Sequence, residues 1–189
     1  MCSSDLFTIA RLSSDTPYGP LTPQQAVKLK RAIFIVVDAG RAPTGDWTQT
    51  IEGPSGTDLV MAAADTAIDA SVRASFQAFD ATTQEWEGSL IRWRCGLSAD
   101  QRQRLGVPPG WNCRDVRFYV NRIAFEQLGA ERAAVLNAVP SRFRLPPEQV
   151  DTLIEAGAEA LRINPAFRDF LSSVGGTLGV YPGSIPRFL

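Results

Sequence analysis

Few side chains in this sequence carry catalytic chemistry, and their spacing is the first constraint on function. Asp38 closes an apolar run in Val37-Asp38-Ala39-Gly40, the position where α/β sheets deliver catalytic groups, at the C-terminal ends of strands. A carboxylate there can take a proton from a nucleophile. The same residue also suits a strand-end turn, and Asp38 is not assigned to a site. Asp58, Asp65 and Asp69 are spaced so that a helix could bring two of them onto one face. No further ligand accompanies them at metal-binding spacing, so they read as a solvated helix face. No catalytic, cofactor or metal residue is assigned.

Serine and glycine patterns are equally spare. An acyl-transfer enzyme of the nucleophile-elbow type needs GxSxG, whose tight turn exposes the serine, and a glycine-rich loop whose amides hold the oxyanion. Gly53-Pro54-Ser55-Gly56 lacks that spacing, and Ser55 reads as loop or helix cap. Gly175-Gly176-Thr177-Leu178-Gly179 reads as a helix stop. Without a following Lys-Ser/Thr it is no phosphate loop.

The sequence contains no histidine. That excludes a Ser-His-Asp or Cys-His triad, an imidazole-bound metal and a histidine pH switch within this chain. Cys95 and Cys113 bracket a loop rich in Gly, Pro and polar residues. A bridge there would contribute roughly 3 kcal/mol and imply an oxidising compartment; two unrelated reduced thiols fit the sequence as well. Neither cysteine has a CxxC partner or a histidine to activate it.

The frame for these residues is a globular one, with 44% apolar and 21% charged residues in 189. With a net charge of −1 and no long Lys/Arg cluster along the sequence, a nucleic-acid partner is not expected. Neither a secretory signal nor an apolar run of spanning length is present. Met1-Cys2-Ser3-Ser4-Asp5-Leu6 looks like a translated sequencing adapter, with an ordinary disordered N-terminus as the alternative, and is set aside, leaving one domain over residues 7–176 and a tail over 177–189.

The elements follow from pattern. Thr22 and Pro23 start a short helix reaching Lys30. Ala32 to Val37 is an unbroken β-branched and aromatic run, predicted as a strand buried on both faces. After a loop over 39–56, a long helix begins near Asp58, with Ser55 or Thr57 as cap and Ile68, Val72, Phe76 and Phe79 at helical spacing, and continues to Trp93 with a kink near Gly88. Val116 to Phe125 is a second strand. Strand, helix and strand make a βαβ unit with parallel pairing. Two helices close the chain. One starts at Pro147 with a stripe of Val150, Leu153, Ile154, Ala158 and Leu161. The other is capped by Asn164-Pro165, carries Phe167, Phe170, Leu171 and Val174, and stops at Gly175-Gly176. Trp47, Trp86, Trp93 and Trp111 suit core packing, or else the wall of an acyl-chain pocket or a lipid contact.

The segment Val116 to Gly157 resembles the C-terminal part of bacterial patatin-like phospholipases. A strand there leads through an acidic, alanine-rich stretch to a phrase matched here by Val139-Pro140-Ser141-Arg142-Phe143-Arg144-Leu145-Pro146, and a helix follows. The resemblance extends from about Lys30 to Ser173. It implies an α/β fold, the C-terminal portion of a three-layer α/β/α sandwich. The implied activity is lipid acyl-ester hydrolysis by a Ser-Asp dyad with neither metal nor organic cofactor. The partners it implies are a lipid or other acyl-ester substrate and a membrane surface. The family's nucleophile elbow, oxyanion loop and DGG or DGA aspartate have no counterpart in this sequence. Asp38 stands in Asp-Ala-Gly order, and its phrase looks like a later strand of the family. The resemblance therefore places the dyad upstream and predicts an inactive fragment, bacterial, and exported or envelope-associated if Cys95 and Cys113 are bridged. A non-catalytic α/β module that binds lipid or protein is the alternative.

Overall fold

The computed structural model describes residues 16–38, 55–140 and 144–179. Thr22 opens helix α1, Pro23–Lys28, through a capping box. Its hydroxyl accepts from Gln25 N while the Gln25 side chain accepts from Thr22 N at 2.9 Å. Strand β1 follows at Arg31–Val37. Helix α2 runs from Gly56 to Cys95, continuous through the expected kink position at Gly88. Ser55 stands immediately before it and its carbonyl accepts from Leu59 N. A short helix α3, Ala99–Arg104, breaks the expected cysteine loop; Ser98 and Gln101 form a second capping box that starts it.

Strand β2, Arg117–Ile123, pairs in parallel with β1, Arg31 opposite Arg117 through Val37 opposite Ile123. The βαβ unit is thus present, with α2 as the main crossover element. A 3-10 turn over Phe125–Leu128 cuts the expected strand short of Phe125, and helix α4, Ala130–Asn137, follows. Helices α5, Pro147–Ile163, and α6, Pro165–Ser173, end the described chain. Asn164 joins them: it caps α6 by accepting from Phe167 N at 3.0 Å. Gly175 takes φ +70°, and Gly176 N and Gly175 N donate back to Leu171 O and Ser172 O. This is the Schellman stop that the two glycines predict.

The layers are helix, sheet, helix. On one face Phe34 meets Phe79, Trp86 and Phe118, with ring centroids 5.7, 6.3 and 6.0 Å apart, which seats α2 on the sheet. On the other face Tyr119 meets Phe170 of α6 at 5.7 Å. The alternation of side chains along a strand separates the two sets. Beside the sheet, Ala26, Leu90 and Val116 form a buried cluster backed by Tyr18, Leu21 and Trp93.

Two expectations about burial do not hold. β1 is half-buried along its length and exposed at Val37, not enclosed on both faces. Among the described residues β2 is its one neighbour, and burial needs neighbours as well as apolar side chains. On α5 the packed side runs through Leu153, Ala156 and Ala160, whereas Val150 and Ile154 of the expected stripe are exposed. The helix packs against the 3-10 turn and β2, and the residues it buries fully are these two alanines and not the larger side chains.

α2 is longer than the sheet it covers. Its 40 residues extend about 60 Å, against about 23 Å for a seven-residue strand. Phe79, Trp86 and Leu90 pack against the fold, while Ile68 and Met61, on the same apolar side further up the helix, are 62% and 65% exposed. The stripe continues beyond the strands available to cover it.

Candidate functional site

The C-terminal ends of the two strands bring together the one candidate that sequence singled out at a strand end. Asp38 N donates to Ile123 O at 2.8 Å, extending the ladder by one step. Its carboxylate Oδ2 accepts from Arg122 Nη1 at 2.7 Å. Arg122 stands opposite Val36 in the register, so its side chain projects to the α2 face. There it lines a small cavity of about 170 Å³ with Arg73, Phe76 and Gln77. Arg73 is itself paired with Asp69 one helical turn earlier. A carboxylate held by a guanidinium is an acceptor fixed in place, which makes it a structural tie between strands.

A larger groove of about 460 Å³ runs along the outer edge of β2, between α2 and the start of α6. In a parallel ladder alternate residues face alternate edges. Arg117 N donates to Lys30 O, so Phe118, Val120 and Arg122 turn their backbone groups outward. Three of those groups are met by side chains. Glu87 Oε2 accepts from Phe118 N at 2.5 Å, and Asn121 Oδ1 accepts from Arg122 N at 2.7 Å. Gln127 Nε2 also donates to Arg122 O at 2.8 Å. Side chains that cap an outer strand edge in this way block uncontrolled strand addition. Asp80, Glu87 and Asp169 line the groove along with Arg117, but no group of three metal-ligating side chains occurs among the described residues.

The N-terminal ends of the strands form a third cluster, pinned from several directions. Cys95 and Cys113 are joined in a disulfide, resolving the alternatives left open by sequence. The neighbouring Arg94 is 1% exposed. It donates to Leu29 O at 2.5 Å and Asn112 O at 3.2 Å and lies over the Trp111 ring. Burial lowers its pKa, and the charge of Asp115 opposes that shift. Trp111 Nε1 donates to Val27 O at 2.9 Å. Asp115 accepts from Arg31 at 2.7 Å and pairs with Lys30 at 3.4 Å. The hydrogen bond from Arg31 is the main cause of an Asp115 pKa below the usual carboxylate value.

The remaining sequence candidates are placed as follows. Asp65 and Asp69 lie on α2 one turn apart and half-buried; Asp69 serves the Arg73 pair. The Asp58 side chain and Trp47 lie outside what is described, as do Ser141, Arg142 and Phe143 of the phrase that carries the resemblance. Trp86, Trp93 and Trp111 are engaged in packing, with Phe118, Tyr18 and Arg94 respectively. Arg122, Glu87 and Arg94 were not anticipated as organising residues. Their roles depend on which segments meet across 84, 31 and 65 residues, for which the local pattern holds no signal. No described helix is long and apolar enough to cross a membrane. Compared with protein-family models, with curated proteins and with solved structures, the chain finds no match in any of the three.

Proposed function

We propose that this chain is the C-terminal part of a patatin-like lipid acyl hydrolase, contributing sheet, covering helices and a stretch of apolar wall to a catalytic unit whose serine and aspartate are upstream. The proposal starts from the resemblance over Val116 to Gly157. The observation that carries it is the overhang of α2. An apolar stripe that packs at Phe79, Trp86 and Leu90 and then continues uncovered through Ile68 to Met61 suits a helix laid on a wider sheet. In such an enzyme the serine attacks the acyl carbonyl, the aspartate assists proton transfer, and water releases the acyl-enzyme. This chain's residues would position that chemistry without performing it, and Asp38 would hold Arg122.

The alternative is a non-catalytic α/β module for lipid or protein contact, favoured by one observation. The end of the fold around Cys95, Cys113 and Arg94 is closed by covalent and buried polar ties, as a self-sufficient unit requires. Ester hydrolysis by the 189-residue chain and by the longer frame containing it separates the two, with a short-chain p-nitrophenyl ester as probe. The hydrolase reading expects turnover from the longer frame only. Absence of turnover from both leaves the module as the better account.

A further inference from the structure

Sequence order hides a charge asymmetry that the fold exposes. Parallel pairing sets Arg31 beside Arg117, and α2 returns to the same end of the sheet before the Cys95–Cys113 loop begins. The segments 28–31 and 87–117 therefore converge on one pole. They hold nine of the 19 Lys and Arg residues against three carboxylates, Glu87, Asp100 and Asp115, leaving ten cations against 17 carboxylates elsewhere in the chain.

The structure accounts for three of those cations. Lys30 and Arg31 share Asp115, and Arg94 is buried against backbone carbonyls. Arg117 shares its groove with Asp80, Glu87 and Asp169; Lys28, Arg92, Arg102, Arg104 and Arg114 are exposed, and none of these five forms an ion pair among the described residues. Such a concentration of unneutralised charge is a surface built for an anionic partner.

The same pole narrows the class of partner. Between Arg104 and Arg114 the chain presents Pro108 and Pro109 to solvent, with Leu105 and Val107 half-buried beside them. Apolar tips among cations suit the boundary between lipid headgroups and acyl chains. Nucleic acid would call for free aromatic faces or a groove of cations. Here Trp93 packs on Tyr18, Trp111 lies under Arg94 with its Nε1 bonded to Val27 O, and Phe118 packs on Trp86.

We infer that this pole is a docking surface for anionic phospholipid bilayers, with Arg102, Arg104 and Arg114 as its outer contacts. The inference does not depend on the hydrolase reading, since a non-catalytic module with the same pole would bind the same surface.

Vesicle flotation tests it with the intact, oxidised chain, because floating vesicles separate bound protein from any aggregate. Vesicles of phosphatidylcholine with phosphatidylglycerol should carry the protein upward at low salt, and vesicles of phosphatidylcholine alone should not. Binding should fall as salt is raised. Each cation near such a surface is worth about fivefold, so Arg102→Gln/Arg104→Gln should weaken partitioning roughly tenfold to thirtyfold. Arg73→Gln/Arg132→Gln, which removes the same charge away from the pole, should change it little. The inference is overturned by equal binding to neutral vesicles, by no binding to anionic ones, by equal losses in the two double variants, or by tighter binding to duplex DNA than to anionic vesicles at the same salt.

Discussion

Asp38 and Arg122 meet at 2.7 Å across the C-terminal ends of two parallel strands, 84 residues apart in sequence. The pair ties the last step of the ladder to the α2 face of the sheet, and it gives the most tempting catalytic carboxylate a structural use. Its side chains are 14% and 31% exposed, so solvent screens it only in part. Asp38→Asn should lower stability by about 1 kcal/mol, read as a lower urea midpoint with an unchanged slope. In any longer frame with measurable esterase activity the same variant should leave turnover unchanged. A collapse of turnover would return Asp38 to the dyad.

Asp115 supplies a pH dependence. The cations Arg31 and Lys30 depress its folded-state pKa, whereas the unfolded value is about 3.9. The stabilisation is therefore fully present above the unfolded value and is lost as pH falls through the folded one. Wild type should be more stable than Asp115→Asn at pH 7. The gap should close in acid, as pH falls below the unfolded value and the folded-state carboxylate is protonated in its turn. Urea midpoints at the two pH values check this, and a gap that persists in acid would show that the ion pairs are not its source.

Gly19 is a sharp packing probe. It takes φ +62°, and a Cβ built there would lie 2.7 Å from Nε1 of the buried Trp86. Gly19→Ala combines backbone strain with overpacking and should cost about 2–4 kcal/mol. Thermal unfolding of the variant, followed by tryptophan fluorescence, reads both the loss and the displaced indole.

The Cys95–Cys113 bridge closes a separation of 18 residues. Cys95→Ser/Cys113→Ser should lose about 3 kcal/mol on chain-entropy grounds. Arg94 and Trp111 hold the same junction without the sulfurs, so the reduced protein should still fold. Circular dichroism and a urea titration with and without reductant decide between a weakened fold and a lost one.

Local chemistry was the legible part of this fold. Thr22-Pro23 and Asn164-Pro165 announce helix starts because their hydroxyl and amide oxygens suit the first free N–H groups. Gly175-Gly176 announces a stop because one residue must take a left-handed turn. The apolar runs around Ile33 and Val120, separated by a helix, were enough to expect a parallel pair. Burial was not legible, since Ile33 to Val37 reads as enclosed only if neighbouring strands exist. The rotation of α5 was not legible because Ala156 and Ala160, the residues the helix buries, carry little hydrophobicity to mark them. The basic pole was missed because its two halves are far apart in sequence, and a cluster made by folding leaves no run of like charges to read.

The most direct test of the central claim is the reading frame that precedes Phe7, recovered by long-read sequencing of the source DNA. The account predicts an open frame encoding GxSxG and then DGG or DGA before this segment begins. A native start codon at that junction, or an upstream frame lacking both motifs, would contradict it and leave a non-catalytic α/β module.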